Sequence, residues 1–343
     1  MTTEVYKYDY FGDTTKCNTE QDLETEVRWL INEIIKPDLP NIIDNFSMCL
    51  ELLQSDQEFT LPLTNGKDET KNAESPVIKG LIVRQGEFIT DLQVVLTFGQ
   101  YKKGKQVIAK MDTGQKYLLV QFSSIVMKLK DMLLKLQNLQ MTDDIDEFYN
   151  VLSSVLDELN ESIDLLQNPP HELTFPGNNN GPLKQMFSDH INLFESIHHQ
   201  IALEITIFRN ELSIEFRNLT KVTKHPWNQI DLRTGKCFTE QIKEELKNKR
   251  DKNLTDVLKQ HNLQVTESSL MNNIMSTFSS DSVTLPEAQE YLRRCMGFDK
   301  KVVMEIEKLA LTTSDPSLIS ISSKLHGLKI CINNHFSNLS AHK

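Results

Sequence analysis

Apolar residues recur at three- and four-residue intervals along four stretches of the chain, residues 20–55, 118–140, 144–167 and 316–340. The clearest run is Leu118, Phe122, Ile125, Leu129, Met132, Leu136 and Leu139. It is followed by Ile145, Phe148, Leu152, Val155, Leu159 and Leu166, with Ile163 close to register. Each set lines one face of an amphipathic helix. Between them Met141-Thr-Asp-Asp144 is a short polar link with N-capping residues, and Glu147 stands three after Asp144. So short a link predicts two antiparallel neighbours. Leu318, Ile321, Leu325, Leu328, Ile332, Phe336 and Leu339 repeat the pattern near the end of the chain. The first stretch carries Leu23, Val27, Leu30 and Ile34, then Leu39, Ile43, Phe46, Leu50 and Leu53, with Pro37 and Pro40 between. Proline removes an amide donor and crowds the preceding turn, so a kink or short break is expected there. Trp29 lies beside this stripe and is expected in the core.

The shorter patterns read as strands. Val77–Phe98 forms two of them around a turn at Gln85-Gly86, after a polar loop over 64–75. Val107–Met111 is a returning strand beyond Tyr101-Lys-Lys-Gly-Lys105. Ile201–Phe208 and Leu212–Phe216 flank Arg209-Asn-Glu, with Ile201, Leu203, Ile205 and Ile207 on one face. Phe59-Thr-Leu-Pro62 and Leu173-Thr-Phe-Pro176 both read as short extended pieces ending in proline after a long helix. Gly177–Pro182 reads as a loop, Leu183–Phe187 as a short helix, residues 236–264 as a charged helix with a thin apolar stripe, and 265–284 as loop. Helices are expected from Pro286 to about Met296 and from Lys300 to Leu311.

These elements predict an α+β fold: an antiparallel helical bundle built from N-terminal, middle and C-terminal helices, plus a separate small antiparallel β-domain. Residues 1–18 are expected to be a mobile tail. Residues 20–55, 118–168 and 286–340 would form the bundle, 57–117 and 169–235 the β-domain, and 236–285 a charged helix and polar loop inserted between them. Leucines at heptad spacing also fit a dimeric coiled coil, although proline breaks and short links favour packing within the chain.

Charge and cysteine usage narrow the function. The chain has 343 residues and a formal net charge of −11, which argues against sequence-independent nucleic-acid binding. Cysteines 17, 49, 237, 295 and 331 are an odd, widely spaced set without a C-x-x-C pair, unlike a disulfide framework or a zinc site. No apolar h-region opens the chain, and no apolar run reaches the ~18–20 residues that span a bilayer. A cytoplasmic protein that meets membranes only through partners is expected.

Few motifs survive scrutiny. Gly99-Gln-Tyr-Lys-Lys-Gly104-Lys105 fits G-x-x-x-x-G-K, but Gln106 stands where a phosphate loop needs Ser or Thr, and a strand pattern follows instead of a helix. His198 and His199 are adjacent at a strand start and so point to opposite faces. No His-x-x-x-His, His-Glu-x-x-His or G-x-S-x-G occurs. Asp143, Asp144, Asp146 and Glu147 cluster at a helix start, where capping and the helix dipole favour carboxylates without any cation. A wider asymmetry remains. From Leu136 to Leu183 there is no Lys or Arg, while Asp143, Asp144, Asp146, Glu147, Asp157, Glu158, Glu161, Asp164 and Glu172 are present. This flank is either an ordinary solvated face or a docking surface for a basic partner. Trp227, after His225-Pro226 in a polar connection, is a candidate exposed anchor. The partner-binding candidates are therefore Asp143, Asp144, Asp146, Glu147 and Trp227; no catalytic, cofactor-binding or metal-binding residue is assigned.

The ordered set Glu24-Thr-Glu-Val-Arg-Trp-Leu30, Phe59-Thr-Leu-Pro62, the Val77–Phe98 double strand, Leu173-Thr-Phe-Pro176 and the Ile201–Phe216 strands resembles the Rogdi family. The resemblance covers most of residues 20–222 and, more weakly, the final helix. Its fungal members are the small subunit of the RAVE complex. The resemblance implies a non-enzymatic protein without cofactors. That protein would help join the peripheral catalytic sector of the vacuolar-type proton ATPase to its membrane sector. The partners it implies are a large WD-repeat, rabconnectin-like subunit, the small adaptor that serves F-box ubiquitin ligases, and the pump's peripheral sector, with recruitment to endosomal and vacuolar membranes. A cytosolic coiled-coil adaptor or tethering subunit unrelated to the pump, and an enzyme with an unrecognised site, are the competing readings.

Overall fold

The computed structural model describes residues 19–65, 77–178, 181–248, 253–266 and 282–341. The expected tail over 1–18 and most of the polar loop over 64–75 lie outside the described residues. In chain order the elements are α1 (Thr19–Trp29), a π-helical stretch (Leu30–Ile35), α2 (Lys36–Gln54), β1 (Glu58–Thr64), β2 (Val77–Gln85), β3 (Phe88–Thr97), β4 (Val107–Lys110) and β5 (Tyr117–Leu118). Then come α3 (Val120–Leu139), α4 (Ile145–Gln167), α5 (Gly181–Lys184), α6 (His190–Phe194), β6 (His199–Phe208), β7 (Glu211–Lys221), α7 (Phe238–Asn248) and α8 (Leu254–Gln260). The last are β8 (Gln264–Thr266), β9 (Ser282–Thr284), α9 (Leu285–Arg294), β10 (Cys295–Phe298), β11 (Lys301–Thr313) and α10 (Pro316–Ser340).

The protein is a mixed α and β chain that divides into two compact units. One comprises Met1–Ser55, Phe122–Asp164 and Ile319–Lys343; the other comprises Asp56–Gln121 and Leu165–Leu318.

In the first unit most heptad positions do what the pattern predicts; the exceptions are Leu118, which is exposed in β5 ahead of α3, and Ile145 and Phe336, which are half-buried. Phe122, Ile125, Leu129, Met132, Leu136 and Leu139 on α3, and Phe148, Leu152, Val155, Leu159 and Ile163 on α4, are all buried. Ion pairs from Lys128 to Glu161 and from Lys135 to Glu158 step in opposite directions along the two helices, so these neighbours run antiparallel. On α10, Leu318, Ile321, Leu325, Leu328, Ile332 and Leu339 are buried. Lys324 reaches Met48 of α2 while His335 reaches Asp38, so α10 and α2 also run antiparallel.

The first stretch departs from its expected stripe. The extra residue in the π turn, where the Lys36 amide reaches back five residues to the Ile31 carbonyl, rotates the apolar face. Ile35, Leu39, Ile42 and Phe46 are buried in sequence, whereas Ile34 is exposed and Ile43 only half-buried. Trp29, expected in the core, is 57% exposed. Pro37 occupies the first turn of α2, where its missing amide costs no helical bond, and Pro40 sits inside the helix without ending it.

In the second unit one antiparallel sheet has the order β1-β2-β3-β4 with β5 also on β3, and another has the order β10-β11-β7-β6. Two-residue turns join β2 to β3, β6 to β7 and β10 to β11. Arg209-Asn210 and Asp299-Lys300 take the left-handed backbone that such tight hairpins require. Phe59-Thr-Leu-Pro62 lies in β1, but Leu173-Thr-Phe-Pro176 follows a 3-10 turn over His171–Leu173 and forms no strand, so the two motifs are not equivalent.

The largest correction concerns residues 300–311. From Lys301 onward they are strand β11, central in its sheet, and they belong with residues up to Leu318 in the second unit and not with the long helices. The acids of this stretch are bound on the sheet. Glu305 pairs with Arg217 at 2.6 Å, and Glu307 accepts from the Gly99 amide at 2.8 Å and from Asn218 Nδ2 at 2.8 Å.

Residues 236–266 are also more than a charged insertion. Phe238, Ile242, Val257, Leu258 and Leu263 pack with Trp227, Val283 and Cys295 in one hydrophobic cluster. β8 and β9 pair in parallel where a loop was expected, and the rest of that stretch, 267–281, lies outside the described residues.

Candidate functional site

The α3–α4 turn carries most of the acidic candidates. Asp143, Asp144, Asp146 and Glu147 are all exposed. Their local geometry is that of a helix start. Asp144 Oδ1 accepts from the Asp146 amide at 3.0 Å, the Asp144 carbonyl accepts from the Phe148 amide at 3.1 Å, and Thr142 Oγ1 accepts from the Asp144 amide at 3.2 Å. Asp146 and Glu147 stand in the first turn, where the helix dipole favours them. Asp143 leaves the cluster electrostatically: it hydrogen-bonds Lys36, and that bond, the Lys36 charge and the more distant Arg28 together hold its carboxyl below the ordinary value.

The acidic flank is thus less bare than its sequence. Glu161 and Glu158 are met by Lys128 and Lys135 of α3, and Lys135 also reaches Asp131 at 2.6 Å. Asp143, Asp144, Asp146 and Glu147 all lie exposed at this end of the helix pair, and Asp143 among them is met by Lys36. Beside them runs a feature the sequence reading missed. Met127 and Leu134 on the outer face of α3, and Met141 in the turn just beyond its end, stand at heptad spacing and are 70, 56 and 89% exposed. They fall two positions after the buried Ile125, Met132 and Leu139 in a stretch that reads as singly amphipathic, and only the burial pattern separates the two stripes.

Trp227 is not an exposed anchor. It is fully buried, stacked on Tyr291 with centroids 4.8 Å apart and edge-on to Phe238 at 5.3 Å. The helices after it, read as solvated, supply the apolar partners that cover it. Its indole Nε1 has no hydrogen-bond partner among the described residues. The tryptophan that does face solvent is Trp29.

The phosphate-loop lookalike is a hairpin connection. Tyr101–Gly104 is a 3-10 turn between β3 and β4, with Lys102 and Lys103 in left-handed backbone, and the Gly99 and Gln100 amides already bind the Glu307 carboxylate. His199 at the start of β6 contacts Asn218 Oδ1 at 3.0 Å, a sheet contact. A cleft of about 490 Å³ is lined by Tyr117, Leu119, Leu173, Leu183, Leu203 and Glu204, among others. Burial pushes the Glu204 carboxyl up, and its Oε2 is occupied by the Phe175 amide at 2.6 Å. Among the described residues no helix is long and apolar enough to cross a membrane.

Comparison with known proteins decides the family. Residues 26–340 match the family described as Rogdi leucine zipper containing protein. The chain belongs to the Rogdi family. It is 49% identical over 345 aligned positions to Regulator of V-ATPase in vacuolar membrane protein 2 of Saccharomyces cerevisiae (strain ATCC 204508 / S288c), an alignment that covers 100% of this chain and 98% of that protein. The acidic turn and the exposed Met127, Leu134 and Met141 are surface features. Among the described residues, one group of side chains in the first unit could hold a metal: Asp38, Cys331 and His335. Cys331 and His335 are four apart on α10, a spacing visible in the sequence, but the third member comes from the opposite end of the chain, which no local motif reports.

Proposed function

We propose that this protein is a non-enzymatic subunit of a RAVE-type complex that promotes assembly and reassembly of the vacuolar proton ATPase, bringing the peripheral catalytic sector onto the membrane sector and so supporting vacuolar and endosomal acidification. The observation that carries this reading is the 49% identity, over the full length of both chains, to a yeast protein named as a regulator of that pump.

The partners would be a large WD-repeat, rabconnectin-like subunit, the small adaptor of F-box ligases and the peripheral sector of the pump. The membrane would be reached through them, from the cytoplasm. Binding alone is sufficient mechanism. A subunit that holds the assembly-competent arrangement more tightly than the separated one shifts the equilibrium by that difference in affinity. In this reading the long helices of the first unit act as an antiparallel bundle and the sheets of the second as a separate β-domain. Asp144, Asp146 and Glu147, next to the apolar stripe Met127, Leu134 and Met141, form a docking surface for a basic, amphipathic helix. Exposed methionine and leucine at heptad spacing suit a helical partner, and carboxylates at its edge suit lysine or arginine.

The test is affinity purification of the tagged protein from cytosol, with mass spectrometry of what co-elutes. Recovery of a large WD-repeat protein with peripheral ATPase subunits is expected. Recovery of coiled-coil tethering subunits, or of the protein alone, would overturn the pump reading.

A further inference from the structure

Three unlike donor atoms meet between α2 and α10 in the first unit. His335 Nε2 lies 2.9 Å from Asp38 Oδ2, Cys331 Sγ lies 3.3 Å from the same oxygen, and Cys331 Sγ lies 3.7 Å from His335 Nε2. Cys331 and His335 share one face of α10 because they are four residues apart, and Asp38 comes from the first turn of α2. The trio is not a nucleophile–base–carboxylate relay. A relay would place thiol and carboxylate on the two different ring nitrogens of His335, and here one nitrogen faces both.

The arrangement does match the edges of a coordination tetrahedron. Zinc bonds of about 2.0–2.3 Å to oxygen, nitrogen and sulfur put neighbouring ligands roughly 3.3–3.6 Å apart. Observed separations of 2.9, 3.3 and 3.7 Å need shifts of only a few tenths of an ångström to meet that. We propose that Asp38, Cys331 and His335 bind a single zinc-class divalent ion that ties α2 to α10.

Thiolate, imidazole and carboxylate together favour zinc over calcium or magnesium, which prefer oxygen alone. His335 is buried, while Asp38 and Cys331 are half-buried, so a fourth position remains for water at the solvent side. Asn41, one turn along α2, hydrogen-bonds the Asp38 carboxylate and orients it, as second-layer partners of metal ligands do. On binding, the sulfur–metal bond replaces the S–H bond and the thiol proton leaves to solvent. Burial and the Asp38 charge push the free thiol up to about 11, so metal must displace that proton. The inference does not depend on the pump reading, and the sequence expectation that the cysteines hold no zinc is revised by it.

The experiment uses the full chain, reduced and stripped with chelator, titrated with Co²⁺ and then Zn²⁺. The expected result is a thiolate-to-cobalt charge-transfer band and tetrahedral d–d bands saturating at one equivalent, both lost on adding zinc. The charge-transfer band should be absent in Cys331→Ser and retained in Cys17→Ser. A second readout needs no variant: zinc should slow maleimide labelling of Cys331, followed by peptide mass spectrometry. Absence of a thiolate band, its persistence in Cys331→Ser, or labelling of Cys331 that zinc leaves unchanged would overturn the proposal.

Discussion

Two polar centres, one in each unit, use similar side chains to opposite ends. In the second unit Arg84 is buried in β2. Its Nε donates to Asp315 Oδ2 at 2.5 Å, its Nη1 to the Gly86 carbonyl at 2.7 Å, its Nη2 to Ser317, and its guanidinium lies 4.8 Å over the Phe59 ring. Asp315 also accepts from the Ser317 amide at 2.9 Å and hydroxyl at 2.8 Å. Charge is matched one to one and both partners are closed off. In the first unit the Asp38, Cys331 and His335 centre has one carboxylate, no permanent cation, and a side open to solvent. A saturated pair is an element of structure. A convergent, unsaturated set can accept something from outside.

The largest predicted effect tests the saturated centre. Arg84→Ala leaves a buried carboxylate alone and should cost about 3–5 kcal/mol, read as a lowered denaturant midpoint. pH sharpens this. Burial raises the Asp315 carboxyl, but the hydrogen bond and charge of Arg84 and the bonds from Ser317 outweigh it and hold it below its ordinary value. A depressed folded value contributes stability above the unfolded value of about 4 that is lost as pH falls through the folded one. The gap in stability between wild type and Asp315→Asn should therefore narrow as the solution is acidified below about pH 4. A constant gap would mean that Arg84 does not hold Asp315 ionised.

Trp227→Ala should also cost about 3–5 kcal/mol, because it opens a cavity against Tyr291 and Phe238. Unchanged stability with weakened partner capture would restore the exposed-anchor reading. By contrast, Asp38→Ala, which removes the half-buried partner of His335, should cost only about 1 kcal/mol in metal-free protein, the value of one partly exposed hydrogen bond. A loss as large as that of Arg84→Ala would erase the difference between the two centres.

Much of the fold was legible because some patterns admit one solution. The α3 and α4 stripes are long and regularly spaced, Asp144 marks the start of α4 and Pro169-Pro170 follow its end, and most of their heptad positions, Leu118 and Ile145 excepted, are buried as expected. The strands flanking Gly86 and Arg209 carried both alternation and a turn signal. β11 carried neither. Its run Lys301–Thr313 holds glutamates, alanine and leucines that suit a helix, and the bulge between Glu305 and Glu307 breaks the period of two. Its hairpin turn, Asp299-Lys300, has left-handed backbone without a glycine to announce it. Its identity comes from partners on β7 and at the Gly99 amide. The metal candidate was illegible for the same reason: Cys331 and His335 mean little until the fold delivers Asp38.

The acidic turn carries the smallest stability effect and the sharpest question. Asp143 is engaged by Lys36 and Asp144 caps α4, so reversing either confounds binding with folding. Glu147 and Met141 are cleaner probes. Glu147→Lys places a cation near a helix N-terminus and should cost roughly 0.3–1 kcal/mol, and Met141→Ser, at an 89% exposed site, should stay within about 0.5 kcal/mol. If this end of the helix pair docks a basic helix, the two changes together should reduce partner recovery, with the Glu147→Lys share fading as salt is raised. Undiminished recovery at low salt by the folded double variant would assign these carboxylates to helix capping alone, and the docking surface would have to be sought elsewhere, first around the exposed Trp29.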